Sequence, residues 1–128
     1  MSNKPPRDGR TTIYAMILPH AIKAAYGCGY ALAAHGSFVN DLDLVAVPWV
    51  DEAQPAESLV RAIADAVKGY TLSEGASCID GQWVSKQFPR VMPHGRLVWT
   101  ISFGGQVYID LSVMPRLTRA ADTDTLPP

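Results

Sequence analysis

The run from Asp41 to Trp49, Asp-Leu-Asp-Leu-Val-Ala-Val-Pro-Trp, constrains the fold more than any other stretch of the chain. Its apolar and β-branched residues predict a strand, although aspartate is depleted in strands because its carboxylate competes for backbone hydrogen bonds. Asp41 and Asp43 occupy alternate positions, so both side chains leave the same face. Successive positions on one face lie about 7 Å apart, which lets both carboxylates reach one cation.

A second apolar run, Tyr108-Ile-Asp-Leu-Ser-Val-Met114, carries a third carboxylate at Asp110. Three carboxylates converging from two adjacent strands would repel one another unless a cation neutralised them. The pattern therefore predicts a divalent-metal site formed by Asp41, Asp43 and Asp110.

Each of these acids also has a purely structural interpretation. Asp41 and Asp43 would then be solvated acids in a turn at the N-terminal end of a strand. Asp110 would form an ion pair with Arg96 or Arg116. The apolar residues that flank all three acids favour enclosure and hence the metal site.

Composition and charge exclude several classes of protein. The chain has 128 residues, of which 48% are hydrophobic and 18% charged, as expected for one globular domain. The net charge is −1 and no Lys/Arg cluster occurs, so we expect no extended surface for duplex nucleic acid. Cys28 and Cys78 form no metal-binding or disulfide pattern, which indicates reduced thiols in a cytoplasmic protein. No apolar run approaches the length of a membrane span, so no membrane contact is expected.

The pattern of breakers divides the chain into a flexible arm (1–10), a single domain (11–117) and a flexible tail (118–128). Within the domain, Thr11 to Leu18 is predicted as an edge strand, and Pro19 as the first residue of a short helix. Strands are predicted at Tyr30 to His35 and at Asp41 to Pro48, on either side of the tight connection that contains Gly36-Ser37.

The second half of the domain has one clear helix and a hairpin. The helix runs from Pro55 to about Lys68, and the spacing predicts one apolar face made of Leu59, Ile63, Ala66 and Val67. A short strand is predicted around Gln82 to Lys86. Two strand-like runs, Arg96 to Phe103 and Gln106 to Met114, are joined by Gly104-Gly105, a hairpin signal. This order predicts an α/β (α+β) domain: a small mixed sheet with helices mainly on one face, which leaves the other face, or the strand ends, for a ligand.

Gly36 and Ser37 precede the acidic strand and suggest a phosphate site. Gly36 has no Cβ, so the backbone can approach a ligand closely. Ser37 can offer its backbone N–H and its hydroxyl to a phosphate, as turn amides do in anion-binding nests. Phosphate, carboxylates and a hard divalent ion together are typical of phosphoryl and nucleotidyl transfer.

Taken together, Gly36-Ser37, Asp41-Leu-Asp43 and the later Asp110 resemble the nucleotidyltransferase superfamily, which has a DNA polymerase β-like fold. The resemblance implies a minimal nucleotidyltransferase-like sheet that binds a nucleoside triphosphate with Mg²⁺ (or Mn²⁺) and transfers a nucleoside monophosphate to an unknown acceptor. It implies that Gly36 and Ser37 contact the triphosphate and that Asp41 and Asp43 bind metal. Asp110 would be a third metal ligand or the catalytic base.

The chain is also similar to small nucleotidyltransferase-like proteins of phages and prophages. The similarity lies in the segments His-Gly-Ser, Asp-Leu-Asp-Leu, Val-Pro-Trp and Tyr-Ile-Asp-Leu-Ser-Val-Met-Pro. It implies a phage protein that acts in the host cytoplasm.

The connection between Ser37 and Asp41 leaves an alternative open. Only Phe38, Val39 and Asn40 intervene, where the family usually has a helical segment. The alternative is a catalytically inactive fold that acts as a nucleotide-binding module or as a protein-binding, antitoxin-like module. For base stacking, Trp49 is the best placed of the three tryptophans, because it follows Pro48 at a strand end.

Overall fold

The computed structural model of the chain describes residues 9–72, 77–79, 82–84, 89–102 and 107–117. These ranges contain two helices, a 3-10 turn at Pro93–Gly95 and eight strands. The helices are α1 (Arg10–Gly27) and α2 (Ala56–Val67). The strands are β1 (Tyr30–His35), β2 (Asp41–Pro48), β3 (Tyr70–Leu72), β4 (Ser77–Ile79), β5 (Gln82–Val84), β6 (Arg90–Val91), β7 (Leu97–Ser102) and β8 (Tyr108–Val113).

Six of the strands form one mixed sheet in the order β1-β2-β8-β7-β3, and β6 pairs with the same edge of β7 as β3 does. Strands β2 and β8 are parallel, while the other neighbours in this sheet are antiparallel. Strands β4 and β5 form a separate antiparallel pair. The predicted α+β class with a mixed sheet is confirmed, and so is the antiparallel pairing of the last two strands. Gly104-Gly105, predicted to join them, lies outside the described residues.

The two helices pack on one face of the sheet, because every second side chain along the central strands is apolar and available for a core. Every second residue of β2 and β8 is buried in a core shared with α1 and α2, whereas the intervening residues are half-buried or exposed. The buried residues of these two strands are Leu42, Leu44, Ala46, Ile109, Leu111 and Val113. The acids therefore lie on the face of the sheet opposite the helices.

Helix α2 follows its predicted bounds to within a residue. Pro55 precedes its first turn, Glu57 lies in that turn, and Lys68 ends the helix in the left-handed conformation. One member of the predicted apolar face was wrong: Ala66 is exposed, while Val60 and Ala64 are buried. The buried face of α2 therefore extends to Val60 and Ala64 and is not the stripe that the predicted spacing implied.

The N-terminal segment differs from its prediction. Thr11 to Leu18 is helical rather than an edge strand, and Pro19 lies inside α1 rather than at its start. Three buried residues, Tyr14, Ala21 and Ala25, follow one another at helical spacing across the proline. Pro19 itself is exposed, so the missing backbone hydrogen bond lies on the solvent side, where water can satisfy the carbonyl. Burial of the apolar stripe outweighs the unfavourable proline.

The remaining predictions on organisation concern the ends and the middle of the chain. The short strand predicted around Gln82 appears as β5, and residues 85–86 of that prediction lie outside the described residues. Residues 1–8 of the predicted arm and the tail 118–128 also lie outside them, while Arg10 is the first residue of α1. Neither described helix is long and apolar enough to cross a membrane.

Candidate functional site

The strand register brings the three predicted acids to one place. In the parallel pair of β2 and β8, Asp43 lies directly beside Asp110, and Asp41 lies beside Tyr108. Neighbouring strands are separated by about 4.8 Å, so Asp43 and Asp110 stand next to each other on the face away from the helices. Asp41 lies two residues before Asp43 on the same face, and all three acids are half-buried.

The environment of Asp41 and Asp43 disfavours their negative charge. Burial is the main cause that raises the pKa of Asp41, and the charge of Asp110 raises it further. The charge of Asp43 and a hydrogen bond with Asp110 act in the same direction, while Arg10 acts against them. Burial and the charge of Asp110 likewise raise the pKa of Asp43, and His35 lowers it. A carboxylate cluster of this kind is stabilised when it binds either protons or a cation.

Asp110 is held by a residue that the sequence did not single out. The Thr100 hydroxyl donates a hydrogen bond to Asp110 Oδ1 over 3.1 Å, because Thr100 of β7 is the register partner of Asp110. Two residues further along β8, Arg96 donates to Ser112 Oγ over 2.8 Å. Arg96 was predicted as a possible ion-pair partner of Asp110, yet its described hydrogen bond is to Ser112. The polar side chains of β7 and β8 thus form a continuous row beside the acids.

The turn at Gly36-Ser37 lies against Asp43. Gly36 has a φ of +89°, and a Cβ at this position would lie 3.0 Å from Asp43 Oδ2. Glycine is therefore needed both for the backbone conformation and for the space that the carboxylate occupies. His35, just before the turn, is the cross-strand partner of Asp43.

Ser37 stabilises its own turn. Its Oγ accepts a hydrogen bond from the backbone N–H of Val39 over 3.3 Å, which closes a short serine turn. The next residue, Phe38, has a φ of +64° and packs its half-buried ring against the core. The connection is thus a compact irregular turn without helix, and Ser37 is exposed at its surface.

A buried tyrosine of α1 fixes the ends of both acidic strands. Tyr14 is fully buried, and its hydroxyl donates to the carbonyl of Asn40 over 2.6 Å. The same oxygen accepts a hydrogen bond from the backbone N–H of Tyr108 over 3.2 Å. Asn40 immediately precedes Asp41, the first residue of β2. Tyr108 is the residue of β8 that pairs with Asp41. Sequence reasoning missed this link because it placed Tyr14 on a strand.

Two further residues of the first turn of α1 contact the same connection. Thr11 donates its hydroxyl hydrogen to the carbonyl of Phe38 over 2.9 Å, and Arg10 donates to the carbonyl of Asn40 over 3.5 Å. Hydrogen bonds from the first turn of α1 therefore hold the turn that runs from Gly36 to Asn40. Recognition of a helix that begins near Arg10 would have predicted such contacts.

The acids supply oxygen donors but no complete cage for a metal. In the part of the chain that the structure describes, no three His, Cys, Asp or Glu side chains are gathered to hold an ion. Asp110 instead interacts pairwise with Asp41 and with Asp43. This arrangement suits Mg²⁺, which commonly binds through one or two carboxylates and completes its shell with water and substrate phosphates.

A recessed cleft lies at the other end of β2. A cleft of about 610 Å³ is lined by Tyr26, Tyr30, Trp49 and Gln54, among others. Trp49 follows the last residue of β2, six residues from Asp43, which corresponds to roughly 20 Å along a strand. Trp49 therefore lies at the end of β2 that is remote from the acids.

No protein-family model matches the chain, and a search of curated proteins finds no match. The geometry and electrostatics of the acidic face therefore carry the functional argument.

Proposed function

We propose that the chain is a minimal nucleotidyltransferase-like protein that binds a nucleoside triphosphate with Mg²⁺ (or Mn²⁺) on its acidic face. The observation that carries this proposal is the register that sets Asp43 beside Asp110, with Asp41 on the same face. The raised pKa values of Asp41 and Asp43 support it, since a group of carboxylates that disfavours its own charge is stabilised by a cation.

In this proposal the acids bind the metal ion and the Gly36-Ser37 turn binds the triphosphate. Asp41, Asp43 and Asp110 would supply carboxylate oxygens for the divalent ion, which Asp110 would hold together with either Asp41 or Asp43. The ion would neutralise charge on the phosphates when it is bound. The Gly36-Ser37 turn contacts the triphosphate through its backbone and the Ser37 hydroxyl. The sheet holds the half-buried acids in position before the substrate arrives, so they require little reorganisation during the reaction.

In the transfer step, Asp110 accepts the proton of the acceptor hydroxyl. The acceptor oxygen forms a bond to the α-phosphorus while the bond from that phosphorus to the bridging oxygen breaks, and pyrophosphate leaves. The hydrogen bond from the Thr100 hydroxyl to Asp110 Oδ1 helps to hold this carboxylate in position. The acceptor is unknown, and the proposed place of action is the cytoplasm, or the host cytoplasm for a phage-encoded chain.

A second candidate function is a catalytically inactive module that binds a nucleotide or a protein partner in the manner of an antitoxin. Two observations favour it. The connection from Ser37 to Asp41 contains no helix, and the Ser37 hydroxyl accepts a hydrogen bond within its own turn. Both features weaken the grip on a triphosphate that a helix N-terminus would provide.

Calorimetric titration tests the proposal. Each nucleoside triphosphate is titrated, with and without Mg²⁺ or Mn²⁺, into the wild type, into Asp43→Asn and into the control Asp65→Asn, which alters an exposed acid of α2. We expect binding that requires metal, is lost in Asp43→Asn and is retained in Asp65→Asn. Absence of nucleotide binding by the wild type would overturn the proposal, and metal-dependent binding without turnover on any acceptor would favour the inactive module.

A further inference from the structure

Among the described strands, β1 forms one edge of the main sheet. In the described part of the chain β1 pairs with β2 alone, without a break in register from Tyr30 to His35. Its sequence, Tyr-Ala-Leu-Ala-Ala-His, contains no proline, lysine or carboxylate. Such devices normally protect edge strands from pairing with another chain. The opposite edge differs, because it is formed by β3 and β6, which have three and two residues.

The hydrogen bonds at the start of the β1–β2 pair show which backbone groups point outward. The backbone N–H of Trp49 donates to the carbonyl of Gly29 over 2.9 Å, one position before the pair of Tyr30 with Pro48. In an antiparallel ladder, hydrogen-bonded pairs alternate with pairs that are not hydrogen-bonded. Tyr30 therefore belongs to a pair that is not hydrogen-bonded, in agreement with the missing N–H of Pro48.

Continued along β1, this alternation sorts its six residues into two sets. Ala31, Ala33 and His35 direct their N–H and C=O groups toward β2. The other three, Tyr30, Leu32 and Ala34, direct theirs away from the sheet. The outward set is symmetric about Leu32, so an identical strand running in the opposite direction presents matching donors and acceptors.

We propose that β1 pairs with β1 of a second copy of this chain, antiparallel, about a two-fold axis at Leu32. Leu32 then exchanges both hydrogen bonds with Leu32 of the second copy, and Tyr30 does so with Ala34. Every outward N–H of β1 finds an acceptor, and the two sheets join into one. The interface is isologous and closed, so each edge is used once and assembly stops at the dimer.

Charge and apolar surface identify a second copy as the occupant. The pairing sets Ala31 opposite Ala33 of the second copy, so no like charges meet across the axis. Tyr26, 82% exposed, lines the same cleft as Ala31 and Trp49, the latter 74% exposed. Two such aromatic side chains offer roughly 300 Å², a large share of the ~800 Å² per partner that stable interfaces bury. Ile22, one turn before Tyr26, adds a further exposed apolar side chain.

A pair of double variants tests both the dimer and its register. Ala31→Glu with Ala33→Glu sets like charges opposite each other across the axis, while Ala31→Glu with Ala33→Lys sets opposite charges there. Both residues are exposed in the single chain, so either pair of changes leaves the fold intact, as circular dichroism verifies. Sedimentation equilibrium of the wild type should give twice the mass of the chain. The like-charge variant should dissociate at least about tenfold more readily than the opposite-charge variant.

A second comparison removes one outward N–H without adding charge. Ala34→Pro eliminates a donor that β2 does not use, and Ala34→Ser keeps it. We expect a folded monomer for the proline variant and a dimer for the serine variant. A wild type that sediments as a monomer at every concentration would overturn the proposal. So would equal dissociation of the two charge variants, since the axis would then not lie at Leu32.

Discussion

The two faces of strands β2 and β8 differ in what they contribute, although the same fourteen backbone positions form both. On the helix side, Leu44 and Leu111 are fully buried in the core. On the other side, the adjacent residues Asp43 and Asp110 are half-buried and raise each other's free energy. One face of the two strands therefore stabilises the fold, while the other carries a destabilising cluster of charges, as expected where a site is selected for function.

Substitutions on the two faces should change the free energy of unfolding in different directions, and this is the largest effect we expect. Leu111→Ala removes a fully buried side chain and should lower the free energy of unfolding by about 2–5 kcal/mol. Asp110→Asn, one residue away, removes a charge that disfavours Asp41 and Asp43, so it should leave stability unchanged or increase it. Urea denaturation of both variants measures the contrast. A loss of stability in Asp110→Asn comparable to that in Leu111→Ala would contradict it.

The buried hydroxyl of Tyr14 connects the stable side to the acidic side. Tyr14→Phe leaves the carbonyl of Asn40 and the N–H of Tyr108 without this partner, and should lower the free energy of unfolding by about 1–3 kcal/mol. It should also weaken metal-dependent nucleotide binding, because both acidic strands lose their common support. Tyr26→Phe is the matched control, since that tyrosine is 82% exposed. Equal effects of the two changes would show that the Tyr14 hydroxyl supports nothing.

Gly36→Ala should separate backbone strain from displacement of a carboxylate. The positive φ alone should cost about 1–2 kcal/mol, and Gly9→Ala, at a similar φ of +73° with no atom within 4 Å of the added Cβ, controls for it. Only Gly36→Ala pushes against Asp43 Oδ2, so only this variant should weaken nucleotide binding in calorimetry. If Gly9→Ala weakened binding equally, the contact between Gly36 and Asp43 would be irrelevant to the site.

The smallest effect is the pH dependence of stability. Because the pKa values of Asp41 and Asp43 are raised on folding, the folded chain binds protons more tightly than the unfolded chain at these sites. Their contribution to stability is therefore full below about pH 4. It is lost as the pH rises through the raised pKa values. Urea denaturation at a series of pH values should show a shallower decline for Asp43→Asn than for the wild type, and identical slopes would refute the assignment.

Much of the sheet could be predicted because its signals are local. The alternation in Asp41 to Pro48 defined β2 to the residue, and the same period-two pattern placed Asp110 on the face it occupies. The parallel direction of the pairing between β2 and β8 was not predicted, because side chains alternate between the two faces in either strand direction. In contrast, the start of α1 depended on tertiary burial of Tyr14, which outweighs the local preference of Pro19 to begin a helix.

The supporting residues of the site were beyond sequence reasoning for a related reason. Thr100 meets Asp110, and Tyr14 meets Asn40, only because strands and helix far apart in the chain become neighbours. No local pattern marks a threonine or a tyrosine for such a contact. The position of Trp49 just after the end of β2 was predicted correctly, and this end lies away from the acids.

Paramagnetic NMR tests the central claim most directly, because it reads out the two ends of β2 in one experiment. Mn²⁺ added with a nucleoside triphosphate broadens the signals of nuclei close to the ion. We expect broadening of the backbone signals of Gly36, Asp43 and Asp110, while the indole N–H signal of Trp49, roughly 20 Å away along the strand, stays sharp. Broadening centred on Trp49, or none that depends on the nucleotide, would contradict a metal–nucleotide site on the acidic face.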